Sequence, residues 1–322
     1  MKKVLAVLLG LSVSVVLFAS AQRDAGGAQY PARSITMICP WAAGGGTDAI
    51  LRAFSAAAER QLGATITVEN RTGGGGAIGH AAIKNARPDG YTIGMITFEL
   101  NSLPQQGLID FTYKDYDPIV RVNADAATLT VKADAPYNTV AEFVAYAKAH
   151  PGEISIGNSA PGSVWHIGAG LLANETGIEV KHIPFEGAAP AVTALAGGHI
   201  QAVSVSLAEV KSQLDAGNVK CLGIMDVKRS ELYPNIPTFI DQGYNITYAT
   251  WRGIALPLGV DPAVKKTLED AFTAVFQDEA FITQARNLNL DLAYQNSADF
   301  ATFLAENYDA VTKTLQETRL LD

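Results

Sequence analysis

One stretch constrains the fold more than any other: residues 35–52, ITMICPWAAGGGTDAILR. Ile35, Met37, Ile38 and Cys39 make an apolar run that reads as a buried strand. Gly44, Gly45 and Gly46 form a turn, and Thr47-Asp48 opens a helix with Ile50, Leu51 and Phe54 on its apolar side. In such a unit, backbone N–H groups and the positive end of the helix dipole converge on one spot, which favours an anion. Glycine lacks a Cβ, so a ligand can approach the backbone closely. No lysine follows the glycines, which argues against a triphosphate-binding loop. What remains is a place for a small anion, most simply a carboxylate, or a turn that is only a turn.

Charge narrows the partners. The 322 residues are 48% hydrophobic and 17% charged, enough for a sizeable core in one large or two medium domains. A formal net charge of −8 argues against nucleic acid and against an anionic membrane surface. An anion must then be held by local dipoles rather than by the overall field. Lys2-Lys3, the apolar run Val4 to Phe18 and the small residues Ala19-Ser20-Ala21 read as a signal peptide over 1–21, with a spacer over 22–29. Its removal takes both lysines and leaves −10. A retained membrane anchor is the alternative. Export permits a disulfide, but Cys39 and Cys221 sit in separate apolar runs and read as two free, buried thiols. His80, His150, His166, His182 and His199 show no ligand spacing, so no metal site is expected, and no cofactor.

Strand and helix patterns alternate onward. Thr65–Glu69 and Tyr91–Phe98 read as strands flanking a helix from Ala77, which implies a parallel sheet with helices on its faces. The segment Gly74-x-Gly76-x-x-Gly79, with Glu99 twenty positions on, matches a dinucleotide fingerprint. The inferred export and the position of the motif on the second strand argue against that cofactor. Thr128–Lys132 starts a new segment. Thr139 and Glu142 predict a capping box for a helix to Ala149. A strand over Glu153–Ile156 leads through Asn158, Ser159 and Ser163 into a helix over Val164–Glu175, a second unit of the opening kind. Further strands are expected at Val180–Pro184, Ile200–Ser206, Lys220–Met225 and Tyr248–Pro257; on the third-last of these, Ser204 and Ser206 would face one side. Asp261-Pro262 starts one terminal helix, and Ser297 is expected to cap the last. Two α/β lobes thus interleave, 30–127 with 249–322 and 128–248, with crossings near 125–129 and 246–250. An anion-ready loop on each lobe suggests a cleft between them that closes by hinge motion.

The ordered motifs Pro40-Trp41-Ala42-Ala43-Gly44-Gly45-Gly46-Thr47-Asp48 with Arg52, Asn70-Arg71 with Gly73, Gly76 and Gly79, Pro88-Asp89-Gly90-Tyr91-Thr92, Asp117-Pro118-Ile119, Gly162-Ser163 with His166, Ile183-Pro184-Phe185 with Gly187 and Pro190, Gly197-Gly198, Pro237-Thr238 and Trp251-x-Gly253 span nearly the whole mature chain. Together they resemble the periplasmic substrate-binding proteins of tripartite tricarboxylate transporters, also called Bug-type receptors. The resemblance implies a two-lobed periplasmic-binding-protein fold of type II, a hinged flytrap. It implies a small carboxylate in the cleft, sometimes an amino acid, held by backbone amides and water with few charged side chains. It also implies membrane transporter subunits as partners, and a monomer is expected.

The candidate ligand residues follow. Trp41, Ala42, Ala43, Gly44, Gly45 and Thr47 come from the opening loop, Asn158, Ser159, Ser163 and His166 from the second. Phe185, Glu186, Gly187, Ser204, Ser206 and Trp251 complete the set with Glu99. The chain departs from the family pattern at Glu99 and Glu186. If either faces the cleft, it repels a second carboxylate and favours an ammonium or hydroxyl, so a di- or tricarboxylate, a hydroxy acid and an amino acid all stay open. Asp48 is expected to cap its helix. No GxSxG elbow is present, so an enzyme is not expected. A ligand-presenting sensory receptor and, more remotely, an NAD-type oxidoreductase are the alternatives.

Overall fold

A computed structural model describes residues 30–318. The leader over 1–21 and the spacer over 22–29 lie outside the described residues. In chain order the elements are β1 (Ile35–Cys39), α1 (Gly46–Leu62), β2 (Ile66–Asn70), α2 (Ala77–Lys84), β3 (Thr92–Thr97), the short α3 (Glu99–Ser102), β4 (Tyr116–Asn123) and β5 (Thr128–Lys132). Then come α4 (Val140–Ala149), β6 (Ser155–Asn158), α5 (Val164–Thr176), β7 (Lys181–Pro184), α6 (Ala188–Ala196), β8 (Ala202–Val203), α7 (Leu207–Asp215) and β9 (Val219–Ile224). The last are β10 (Arg252–Pro257), α8 (Pro262–Val275), α9 (Glu279–Asn287), β11 (Leu292–Gln295) and α10 (Ser297–Thr318).

Two sheets result, ordered β11-β4-β10-β3-β1-β2 and β7-β6-β8-β5-β9. The three strands of the first hundred residues, β1, β2 and β3, run parallel as the alternation implies, but neither sheet is wholly parallel. β1 runs parallel to β2 and β3, but β10 lies antiparallel between β3 and β4. Likewise β6 is parallel to β7 and β8, while β5 is antiparallel to β8 and β9. The reversed strands are those that follow a crossing between sheets. β5 enters directly from the first sheet and β10 returns from the second, so each arrives from the opposite end. The two crossings touch: Ala126 bridges Ala249, Ala127 N–H donates to the Tyr248 carbonyl at 2.8 Å, and Thr250 N–H to the Asp125 carbonyl at 3.0 Å.

Burial follows the sequence pattern. Ile50, Leu51 and Phe54 of α1 are fully buried, and the Phe54 ring packs edge-on against Phe272 and Phe281 at 5.2 and 5.8 Å. A second cluster runs from Phe143 and Leu195 through Ala127 to Trp251 and Phe300, so core packing continues past the crossings. Cys39 is buried, Cys221 only half-buried, and both are free.

Local corrections have local causes. The strand expected over Ile200–Ser206 is only Ala202–Val203. The chain turns there, and Ser206 becomes the N-cap of α7, held by a capping box with Glu209. Ser204 and Ser206 therefore do not share a strand face. Thr139 caps α4, accepting from Glu142 N–H, but the Glu142 carboxylate takes the N–H of Asn138 rather than of Thr139. The cap of α10 is Asn296, whose side chain accepts from Asp299 N–H at 3.0 Å, not Ser297. Among the described residues no helix is long and apolar enough to cross a membrane.

Candidate functional site

The loop from Trp41 to Thr47 is built before it can bind anything. Asp48, 4% exposed, is its fastener. Its carboxylate accepts from Gly44 N–H at 3.0 Å, from Arg52 Nε at 2.9 Å and from Asn70 Nδ2 at 2.9 Å, while Asn70 also donates to the Trp41 carbonyl. Arg52, Gly44 and Asn70 hold the Asp48 carboxyl below its usual range despite burial. Gly44 takes a positive φ of 82°, a conformation that side-chain-bearing residues rarely adopt. Asp48 is therefore not the cap expected of it: the N-cap of α1 is Gly45 with no side-chain cap bond, and Asp48, in the first turn, ties the loop through Gly44 N–H instead.

Across from this loop lies the N-terminus of α5. Ser163 is its cap, accepting from His166 N–H at 3.4 Å and from the Ser159 hydroxyl at 2.9 Å. The two helix starts belong to different lobes and face one narrow interlobe cavity of about 20 Å³. That is room for a single water centre. The space between the two helix starts is too small, as it stands, for an acid of dicarboxylate size.

The cavity brings together Trp41, Ala42, Gly45, Thr47, Glu99 and Ser159 of the expected residues. The others lie elsewhere. Ala43 and Gly44 are exposed on the outer side of the loop. Gly187 packs against the loop from the opposite lobe, where a Cβ would stand 3.4 Å from that of Ala42. Phe185 and Glu186 border a separate rim groove with Gly75 and Pro161, and Glu186 is exposed. Asn158 and Ser204 are buried with side-chain oxygens that lack hydrogen-bond partners. His166 accepts from Gly162 N–H at 2.9 Å and stacks edge-on with His182. Burial, and then His182, push its pKa down to about 4, so the ring is neutral. Trp251 is core: its indole donates to Asn307 at 2.8 Å, with Phe300 and Phe303 packed alongside.

Among the cavity residues that the sequence did not reveal, Arg252, Glu209 and Thr97 carry the polar network. Arg252, 1% exposed at the start of β10, pairs with Asp125, donates to Thr47 Oγ1 at 2.8 Å and meets Glu209 at 3.5 Å. A charged residue inside the otherwise apolar run TWRGIALP was the available signal. Glu209 belongs to the capping box Ser206-x-x-Glu209, yet its second oxygen reaches across the cleft to Gly46 N–H at 3.3 Å. Glu99 makes the converse link: Oε1 accepts from Val164 N–H of α5 at 3.0 Å and Oε2 from the Thr97 hydroxyl at 2.5 Å. Each lobe therefore places its own carboxylate on the other lobe's helix mouth. Burial raises the pKa of both, offset in Glu209 chiefly by Arg252 and in Glu99 chiefly by the Thr97 and Val164 hydrogen bonds. Thr97 is held in turn by His80, whose Nε2 accepts the Thr97 N–H at 3.2 Å, and burial pushes the His80 pKa down to about 3.

Comparisons with known proteins agree with this architecture. The sequence profile of the family described as tripartite tricarboxylate transporter family receptor, TctC, matches residues 50–320. A UPF0065 protein from the gbd 5' region of Cupriavidus necator is 31% identical over 289 residues, covering 89% of this chain and 87% of that one. A TctC solute-binding protein from Polaromonas, solved without ligand, is 37% identical and superposes with a TM-score of 0.66 over 89% of this chain and 99% of its own. The periplasmic binding protein BugD is 26% identical, with a TM-score of 0.87 over 90% of this chain and 99% of its own. The fold also matches two Rhodopseudomonas palustris proteins, one solved with adipate and MatC with malate, at TM-scores of 0.86 and 0.82 and identities of 24% and 23%. The chain belongs to the TctC family of tripartite tricarboxylate transporter receptors, which are periplasmic solute-binding proteins.

Proposed function

We propose that this receptor closes its two lobes on a small carboxylate-bearing solute and delivers it to the membrane subunits of a tripartite tricarboxylate-type transporter. One observation carries the reading: two helix mouths and a buried guanidinium, drawn from both lobes, converge on one interlobe cavity. The ligand carboxylate takes the Thr47 hydroxyl and the Arg252 edge that meets Glu209 only at 3.5 Å. A helix N-terminus adds about 0.3–1 kcal/mol to such a contact, up to ~2 when partly buried. The bound adipate and malate of the two relatives support the ligand class. In this reading the lobes are 30–127 with 249–322 and 128–248, export follows cleavage after Ala21, and the receptor works as a monomer without catalysis.

Calorimetry of the mature protein against mono-, di- and tricarboxylates, hydroxy acids and amino acids tests this. Saturable 1:1 binding of at least one acid, recovered unchanged, is expected, and Thr47→Val should weaken it. Binding that is insensitive to Thr47→Val, or turnover of the acid, would contradict the reading.

A further inference from the structure

We propose that the ligand carries a positively charged nitrogen beside its carboxylate, and that Glu99 is the residue that selects for it. The inference rests on the carboxylate reading above and deepens it. Glu99 is 1% exposed and lines the interlobe cavity from the end of β3. Its partners are a hydroxyl and a backbone N–H, those of Thr97 and Val164. Among the described residues no Lys, Arg or His stands within 4 Å of its carboxylate. His80, the ring nearest in the network, uses Nε2 as an acceptor and is neutral, so it supplies no countercharge.

The cavity contains one cation, and that cation is already shared. Arg252 pairs with Asp125 and faces Glu209. Two carboxylates therefore already share the guanidinium, and Glu99 is a further buried acid on the same cavity. Burying an ionised carboxylate without a countercharge is costly, and adding a simple dicarboxylate would place two more negative charges in the same space. Burial pushes Glu99 upward, and the Thr97 and Val164 hydrogen bonds and the more distant Arg252 charge offset this only in part. The Tyr248 hydroxyl is buried without a hydrogen-bond partner, and the charge on Glu99 adds to the effect of burial in raising its pKa. An ammonium on the ligand would give Glu99 its missing partner. The ligand carboxylate would then lie on the Thr47 and Arg252 side. A proton on Glu99 is the competing way to balance the charge.

Calorimetry on acid pairs that differ by one ammonium separates the two: glutamate with glutarate, aspartate with succinate, γ-aminobutyrate with butyrate. Each is run in two buffers of different ionisation enthalpy, which counts protons. In at least one pair the amine-bearing member is expected to bind about 30-fold tighter or more, without proton uptake. Glu99→Gln should erase that preference while the desamino acid keeps its affinity. A desamino acid that binds equally well or better, one that binds with uptake of a proton, or a Glu99→Gln protein that keeps the preference would overturn the proposal. If Glu99→Gln does not fold, the wild-type pairs decide alone. Heat from no acid of either class would overturn the carboxylate reading itself, and this one with it.

Discussion

Arg252 is the residue on which the site's electrostatics turn. It is 1% exposed, and its partners Asp125 and Glu209 are 3% and 4% exposed. Removing one member of a buried ion pair leaves its partners uncompensated, at a cost of about 3–5 kcal/mol. Arg252→Gln should lose that much stability in urea unfolding, whereas a surface pair such as Lys266–Asp270 should cost under about 1 kcal/mol when broken. His80 makes a second prediction. Its pKa is about 3 in the folded chain and near 6.5 when exposed, so between those values the unfolded state binds more protons. Stability from His80 is complete above about pH 6.5 and falls as pH drops. Relative to His80→Gln, the wild type should lose about 1.4 kcal/mol per pH unit between pH 6.5 and 5 in denaturant titrations. A parallel pH profile for the two proteins would refute a buried neutral ring. The difference measurement matters because Asp291, raised to about 6 by burial and then by Asp125, contributes with the opposite sign across part of the same window.

At the scale of elements, the glycine fingerprint finds a structural explanation. Gly79 lies within α2, where a Cβ would stand 2.5 Å from the Pro40 Cα and 2.7 Å from the Arg71 carbonyl oxygen. These are backbone atoms on the far side of a close helix–loop contact, so neither can swing away. In an open helix, Gly→Ala gains about 1 kcal/mol. Here Gly79→Ala should instead destabilise by about 1–3 kcal/mol, because overpacking outweighs propensity. A gain in melting temperature would show that α2 is free to shift. The legible elements were those with their own punctuation: Gly44–Gly46 before α1, Ser163 before α5, Asp261-Pro262 before α8. α7 was hidden because Ser206 continued an apolar run that read as strand, and α9 with β11 lacked a strong turn signal. Site residues divided the same way. Thr47 and Ser159 were legible from their own loops, but Arg252 reaches Thr47 across 205 residues and Glu209 reaches Gly46 across 163. Only the folded crossing brings such groups together, and no local spacing encodes it.

At the scale of the whole molecule, the two lobes are joined by paired crossings and by two reciprocal carboxylate contacts. Glu99 and Glu209 each occupy a helix mouth on the opposite lobe, so closure places negative charge where a ligand anion was expected to sit. A ligand must then use what these groups leave: the Thr47 hydroxyl and the Arg252 edge that meets Glu209 only at 3.5 Å. This is the central claim, and a crystal structure of the mature protein grown with its tightest-binding acid tests it most directly. The account predicts a ligand carboxylate between the 41–47 loop and the start of α5, within hydrogen-bond distance of Thr47 or Arg252. A ligand seated in the outer groove beside Glu186, or in the cleft without contact to either residue, would contradict it.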